Sequence, residues 1–290
     1  YTLALFAQDE IKLLRNLQAL IGVRYIYHEN FKNHATPNVA LMYKPGKFNF
    51  RASYAAGFRT PTLSELYATD IAKKNDRLTI GNLDLKPEKN NYFSLSAEYV
   101  HERFSVSVNA FYNNIRDMID YNTIATGDKA MEQYGHKEVR QRDNIAEAKV
   151  HGINVSANAY LGAGFNLSGG YTHLNTQDVE LEQPIDKSIK NAYNINAQWA
   201  HSWKIYRLNI NLNGRINSKR FSKSYGYAPE YQLWDLNTRH SFNLKSVIIE
   251  PGFGMENLFD YMDDRPYNSN YATLTPGRSF YISLSLKFKS

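Results

Sequence analysis

Phe50-Arg51-Ala52-Ser53-Tyr54-Ala55 and Phe93-Ser94-Leu95-Ser96-Ala97-Glu98-Tyr99 alternate larger apolar side chains with small or polar ones. This period of two is what a strand with two unlike faces requires. Two strands thus bracket one long connection. It leaves as Gly57-Phe58-Arg59-Thr60-Pro61-Thr62-Leu63-Ser64-Glu65-Leu66-Tyr67 and returns as Gly81-Asn82-Leu83-Asp84-Leu85-Lys86-Pro87-Glu88. A hairpin loop commonly has about two to five residues, so a connection of this length is either functional or disordered. Pro61 and Pro87 fix φ and extend the residues before them, and Gly57 and Gly81 relax the sterics at the strand exits. Both ends therefore predict an ordered turn. Arg59, the only charge between Tyr54 and Glu65, is placed to pair with Glu65, Asp84 or Glu88 and hold the loop, or to contact an anionic ligand.

Outward from this stretch the alternation continues. It predicts thirteen strands, at about 2–9, 17–27, 36–43, 47–57, 90–100, 104–122, 142–160, 164–174, 190–201, 204–217, 230–243, 247–258 and 278–288. Tight turns are expected near Lys44-Pro45-Gly46-Lys47, His101-Glu102-Arg103, Leu161-Gly162-Ala163-Gly164, His201-Ser202-Trp203 and Leu244-Lys245-Ser246, with long loops between them. Short turns on one rim and long loops on the other are the habit of outer-membrane barrels.

The composition of the two faces separates a membrane barrel from a soluble sandwich. Leu208, Ile210, Leu212 and Ile216 alternate with Asn209, Asn211, Asn213, Arg215 and Asn217, and Ile153, Val155, Ala157 and Ala159 with Asn154, Ser156 and Asn158. A soluble outer face more often carries Lys, Glu and Thr; small uncharged side chains suit a crowded wet lumen. The apolar face includes Phe104, Val106, Val108, Ala110 and Tyr112, and rings such as Tyr25, Tyr27, Tyr99, Tyr171 and Tyr193 lie near strand ends, where membrane barrels carry aromatic girdles. In the last strand Phe280, Ile282, Leu284, Leu286 and Phe288 share the face expected to meet lipid, with Ser283, Ser285 and Lys287 on the other.

The totals agree with one all-β unit. The 290 residues contain 16 Gly, 9 Pro and no Cys, which removes disulfides, thiolate metal sites and cysteine nucleophiles. The net charge of +6 comes from 34 Lys and Arg dispersed among 28 Asp and Glu, with no basic block, so a nucleic-acid partner is not expected. No run approaches the roughly 18 apolar residues of a membrane helix, and a mean hydropathy of −0.53 is compatible with strands that show lipid only every second residue. The N-terminal Tyr1-Thr2-Leu3-Ala4-Leu5-Phe6-Ala7 has no signal-peptide pattern and reads as a strand already under way.

The two ends of the long connection resemble the "GFRAP…EL(Y/F)" and "NPDLKPE" boxes of TonB-dependent outer-membrane receptors, with Thr60 where the family usually carries Ala and Leu83 where it carries Pro. Glu256-Asn257-Leu258-Phe259-Asp260, followed by Thr275-Pro276-Gly277-Arg278-Ser279-Phe280, is similar to the same family's C-terminal "NLFD…PGR.F" signature. The final strand resembles the family's closing strand, although Phe288 is followed by Lys289 and Ser290. The resemblance implies that residues 1–290 are the C-terminal portion of an antiparallel transmembrane β-barrel of about 22 strands, without its plug. It implies a Gram-negative outer-membrane receptor that binds a scarce metal complex, such as a ferric siderophore, haem or cobalamin. Energy would come from TonB and its inner-membrane complex through the missing N-terminal part. A passive pore and a soluble β carbohydrate-binding module are the rival classes.

No phosphate loop, nucleophile elbow or HExxH helix is present, so neither an enzyme nor a cofactor is expected. The histidines at 28, 34, 101, 136, 151, 173, 201 and 240 form no short ligand-like cluster, and Asp263-Asp264 beside Arg265 reads as a polar loop pair rather than half a metal site. Haem receptors of the family tend to carry a histidine between the two boxes; none lies between Tyr67 and Asn82. The candidate ligand-binding residues, all in expected outer loops, are Arg59, Tyr67, Asn82, Asp84, Tyr134 and His136.

Overall fold

The computed structural model describes residues 1–222, 226–263 and 275–289. Thirteen long strands follow one another as antiparallel neighbours: β1 (Thr2–Leu14), β2 (Leu17–His28), β3 (Lys32–Tyr43), β4 (Phe48–Arg59), β7 (Glu88–Val100), β8 (Phe104–Thr126), β9 (Glu138–Gly162), β10 (Phe165–Asp178), β11 (Asn191–Trp203), β12 (Tyr206–Asn217), β15 (Tyr231–Asn243), β16 (Val247–Glu256) and β17 (Ser279–Phe288). Long connections carry the small elements α1 (Leu63–Tyr67), β5 (Thr69–Ala72), β6 (Arg77–Ile80), α2 (Gly127–Tyr134), β13 (Arg220–Ser222) and β14 (Gly226–Ala228). Among the described residues β1 pairs only with β2 and β17 only with β16, so the sheet is an open wall with two free edges.

All thirteen expected strands are present. Their ends move: β1 runs on to Leu14, β8 to Thr126, and β9 begins at Glu138. The turn expected at His201-Ser202-Trp203 lies instead at Lys204-Ile205. β11 continues through Trp203, whose ring stacks on Tyr206 across the hairpin at 5.6 Å, and Lys204 takes the positive φ of 46°.

Registers place like residues on like faces. Leu212 opposes Ala197 and Leu236, and Asn211 opposes Gln198 and Asn237. At the C-terminus, Met255 faces Phe280, Phe253 faces Ile282, Pro251 faces Leu284, and Ile249 faces Leu286; Gly252 faces Ser283. On the polar side Tyr281 Oη donates to Asn237 Oδ1 at 2.6 Å, and Lys287 Nζ pairs with Glu250 at 2.6 Å. Gly254 gives the Tyr281 ring its room, because a Cβ there would stand 2.1 Å from Cζ. The opposite face is bare hydrocarbon: Ile282 is 83% exposed and Phe288 81%. An apolar surface of this extent needs a non-aqueous neighbour.

Rings gather at the short-turn end of this apolar face, with Phe48 packed on Tyr99 (4.9 Å) and Tyr206 on Phe242 (5.1 Å). A second set, Tyr54 with Phe93 (4.8 Å) and Tyr171 with Tyr193 (4.7 Å), lies farther along the strands. Two aromatic bands bounding an apolar belt match the interfacial girdles of a membrane barrel. A single-layer wall has no sandwich core. Among the described residues, two clusters of buried apolar side chains form where loops fold back: Leu66, Leu85 and Ile119, with Phe31 against them, and Leu78, Ala130 and Val139, with Ile80, Ala125 and Tyr134 against them.

Candidate functional site at the long-loop rim

The β4–β7 connection is ordered from both ends. Thr62-Leu63-Ser64-Glu65 forms a capping box: Thr62 Oγ1 accepts from the Glu65 N–H (3.2 Å), and Glu65 Oε2 accepts from the Thr62 N–H (2.8 Å). These bonds satisfy donors that a helix start leaves open. Arg59, the last residue of β4, clamps the loop to the wall. Its Nη1 and Nη2 donate to Glu65 at 2.9 and 3.1 Å, while Nε and Nη2 donate to Glu88 at 2.7 and 2.6 Å. Two bidentate carboxylates exploit the planar guanidinium fork in a way that lysine cannot. Of the three carboxylates the sequence offered, Arg59 thus takes Glu65 and Glu88, and Asp84 stays outside the cluster.

Burial works against ionisation of Glu65, but the bonds from Arg59 and from the Thr62 N–H and hydroxyl outweigh it and bring the carboxyl down to about 2. Its partner Glu88 also accepts from the Ile119 N–H at 2.9 Å, tying the same cluster to β8.

Gly81 lets the chain return beneath α1. Its N–H donates to Ala68 O at 2.8 Å, and a Cβ there would lie 2.5 Å from Leu66 O and 2.8 Å from Tyr67 N. Asn82 Oδ1 then accepts from the Asp84 N–H (2.9 Å), closing an Asx turn that aims Leu85 into the buried cluster. Asn144 of β9 secures the next residue: its Oδ1 accepts from the Lys86 N–H (2.7 Å), and its Nδ2 donates to Lys86 O (2.9 Å) and to Asp117 O (2.6 Å). Asp117 sits at positive φ in a bulge of β8, so one amide fastens the second box to that irregularity.

The far end of the connection crosses to the β8–β9 hairpin. β6 lies parallel to β9, from Arg77 opposite Glu138 to Ile80 opposite Gln141. His136 Nδ1 contacts Asp76 Oδ1 at 2.8 Å, and the Lys137 N–H donates to Asp76 O at 3.0 Å. The hydrogen bond from His136 holds the Asp76 carboxyl below its ordinary value.

The six candidates therefore separate. Tyr67 (63% exposed) and Asp84 lie open to the surroundings; Asn82 shapes its turn; Arg59 and His136 hold loop to wall and loop to loop; Tyr134 packs against the Leu78–Val139 cluster. The reading of single residues missed Asn144 and Asp76. Neither has a local pattern, whereas the capping box was present in the sequence as Thr62-x-x-Glu65.

The C-terminal signature is a joint of the same kind. Asn257, 6% exposed and at φ 51°, takes a bond from its own N–H to Asp235 Oδ1 (2.9 Å), donates from Nδ2 to Tyr261 O (2.8 Å) and Pro276 O (3.1 Å), and accepts from the Tyr261 N–H (2.8 Å). Asp260 Oδ1 accepts from the Arg278 N–H at 2.7 Å. Both halves of the signature are thus bound together. Asp264 and Arg265, of the polar pair considered above, lie outside the described residues, and among the described residues no group of three or more His, Asp or Glu side chains could hold a metal.

The model of the family "TonB dependent receptor-like, beta-barrel" matches residues 1–258. The fold is similar to that of the ferric enterobactin receptor PfeA of Pseudomonas aeruginosa, solved as a variant, at a TM-score of 0.79 and 20% identity over 99% of this chain and 45% of that one. It is also similar to the siderophore receptor PirA of Pseudomonas aeruginosa (TM-score 0.73, 18% identity, 100% and 48% covered) and to BauA, the ferric preacinetobactin receptor of Acinetobacter baumannii (0.72, 18%, 99% and 42%). The chain therefore spans less than half the length of these structures. With an open antiparallel wall, two aromatic bands and both box pairs locked at one rim, the chain belongs to the TonB-dependent receptor β-barrel family.

Proposed function

We propose that residues 1–290 are the C-terminal portion of the barrel of a Gram-negative outer-membrane receptor that binds a ferric siderophore and imports it with energy supplied by TonB. The observation that carries this reading is the built rim: two long connections, 60–87 and 127–137, joined to each other and to the wall instead of lying open as at a plain pore mouth. The similar structures support the ligand class, since one is a ferric enterobactin receptor variant in complex with enterobactin and another a ferric preacinetobactin receptor. Haem fits less well, because no histidine lies between Tyr67 and Asn82 and His136 is engaged with Asp76.

In this reading Tyr67 and Asp84, the exposed members of the rim, meet the ligand. Arg59, Asn82, Tyr134 and His136 hold the loops that present them. Growth of a strain lacking the full-length gene, supplied separately with ferric siderophores, haem and cobalamin, tests the assignment. Loss on a siderophore alone, reproduced when TonB is absent, is expected. Loss confined to haem or cobalamin would change the ligand, and uptake that persists without TonB would return the protein to a passive pore.

A further inference from the structure

Two arginines stand close together on the polar, lumen-facing side of the wall. Arg239 of β15 opposes Asn209 of β12 and Gly252 of β16, and Arg207 of β12 opposes Ser241 of β15, so the two side chains are diagonal neighbours on adjoining strands. Both are exposed, and among the described residues neither makes an ion pair or a side-chain hydrogen bond. The carboxylates at either end of this patch are already engaged. Glu250 pairs with Lys287 Nζ (2.6 Å) and accepts from Ser241 Oγ (3.2 Å), and Asp235 Oδ1 accepts from the Asn257 N–H (2.9 Å). Like charges at a diagonal spacing of about 7–8 Å repel one another.

Beside them the wall is hollowed. Arg239 and Asn209, with Asn211, Asn237, Tyr281 and Ser283 of the neighbouring positions, line a recess of about 400 Å³. Gly252 keeps it open, because a Cβ there would stand 2.6 Å from Ser283 Oγ. Hydrogen bonds within the wall set the polarity of this recess. Asn237 Oδ1 accepts from Tyr281 Oη at 2.6 Å, and Asn211 Oδ1 accepts from Asn213 Nδ2. Each amide is thus held through its oxygen and keeps its NH₂ group as a donor. A lining of guanidinium and amide N–H groups calls for an electron-rich guest, and charge-assisted bonds to an oxyanion are the strongest it can make. The recess also lies deep. From Asn209 to Asn217 at the long-loop end, β12 rises about 26 Å at roughly 3.3 Å per residue.

We propose that this recess is an oxyanion station on the lumen wall, where an anionic group of the imported ferric complex rests between the rim and the periplasm. It rests on the transport reading above and gives the cargo a class: a ferric complex of net negative charge with carboxylate or catecholate oxygens at its surface, not a neutral hydroxamate complex. An oxyanion removes the repulsion between Arg207 and Arg239 and receives the amide donors of Asn211 and Asn237. Both arginines remain exposed, so the hold is weak enough to release, as a stop on a path of transit requires.

The test begins with the wild-type full-length receptor, treated with phenylglyoxal, which modifies free guanidinium groups, and mapped by mass spectrometry. Arg207 and Arg239 should react, and citrate as the oxyanion probe should slow both severalfold while leaving Arg103 of the exposed β7–β8 turn unprotected. Arginines that are unreactive with and without citrate would mean that another part of the receptor fills the recess, and reaction indifferent to citrate would mean that it holds no oxyanion; either result overturns the proposal. In cells, uptake of a radiolabelled anionic ferric tris-catecholate is compared with that of a neutral ferric tris-hydroxamate. Receptor-dependent uptake of the first alone is expected. R207Q/R239Q, checked for folding by heat-modifiable mobility, should slow it about tenfold, as loss of a charge-assisted contact predicts, with binding to non-energised cells unchanged, and R207K/R239K should restore part of the rate. Import of the neutral complex alone would overturn the charge class and leave the transport reading standing. If neither complex is imported the transport reading is what fails, and the labelling, which needs no uptake, still decides the site.

Discussion

Arg59 shows how a single side chain turns a loop into part of a wall. With four donor contacts to two carboxylates, its replacement by alanine leaves Glu65 and Glu88 adjacent and unpaired, and Glu88 is well covered, with a side chain 16% exposed. Arg59→Ala in the full-length receptor should therefore open residues 60–87 to protease while the strands stay resistant. Unchanged cleavage together with unchanged ligand affinity would remove Arg59 from both structural and binding roles. The same cluster responds to acid. The Glu65 carboxyl falls from an ordinary 4.5 to about 2 on folding, so its contribution is complete above 4.5 and disappears as pH drops through about 2. Protease sensitivity of the loop, followed with an acid-active enzyme, should rise across that window in the wild type, and a flat profile would argue against the clamp. At Gly81 the constraint is space. Gly81→Ala drives a methyl into the α1 backbone at Leu66 and should cost about 1–3 kcal/mol of loop stability, read as faster amide exchange at Ala68 and Asn82.

At the scale of elements, the long strands were legible because their period is sustained for ten residues or more, and because a one-residue slip would move every apolar side chain to the wrong face. The small elements were not. β5 and β6 have four residues each, too few for a period to declare itself, and their position comes from pairing with β9 rather than from their own pattern. The Arg59 clamp was foreseen because its partners are charged residues inside a recognisable box. The Asn144 amide was not, because an asparagine bonding to main chain 58 residues away looks like any other strand asparagine. The closing strand gives the sharpest test of face assignment. Leu284 is 66% exposed on the apolar side opposite Pro251, while Ser285 opposes Glu250 on the polar side. An arginine near the bilayer midplane of a barrel costs roughly 2–4 kcal/mol, so Leu284→Arg should lower the amount of assembled receptor far more than Ser285→Arg. Heat-modifiable mobility on gels reads the difference, and equal yields of the two variants would contradict the assignment of faces.

For the whole molecule, the decisive feature is that the sheet has edges. β1 offers an unpaired side along Thr2–Leu14 and β17 along Ser279–Phe288. Such rows of open N–H and C=O groups are not tolerated in hydrocarbon. Residues 1–290 expressed alone should accordingly aggregate or stay bound to chaperones, giving no folded band in detergent. A closed, heat-modifiable species from this segment alone would show that the two edges can meet.

The parallel contact between β6 and β9 also sets an order of events in time. Asp76 and His136 are 60 residues apart, and the hairpin that carries the second partner must be in place before the first has anything to dock against. The entropic cost of closing so long a loop is met only once the intervening strands have brought its ends together. On this ground the rim is expected to close after the wall behind it has formed. Pulse proteolysis during membrane insertion should find residues 60–87 cleavable until Glu138–Gln141 are seated, so that the appearance of a protected rim reports completion of the wall behind it.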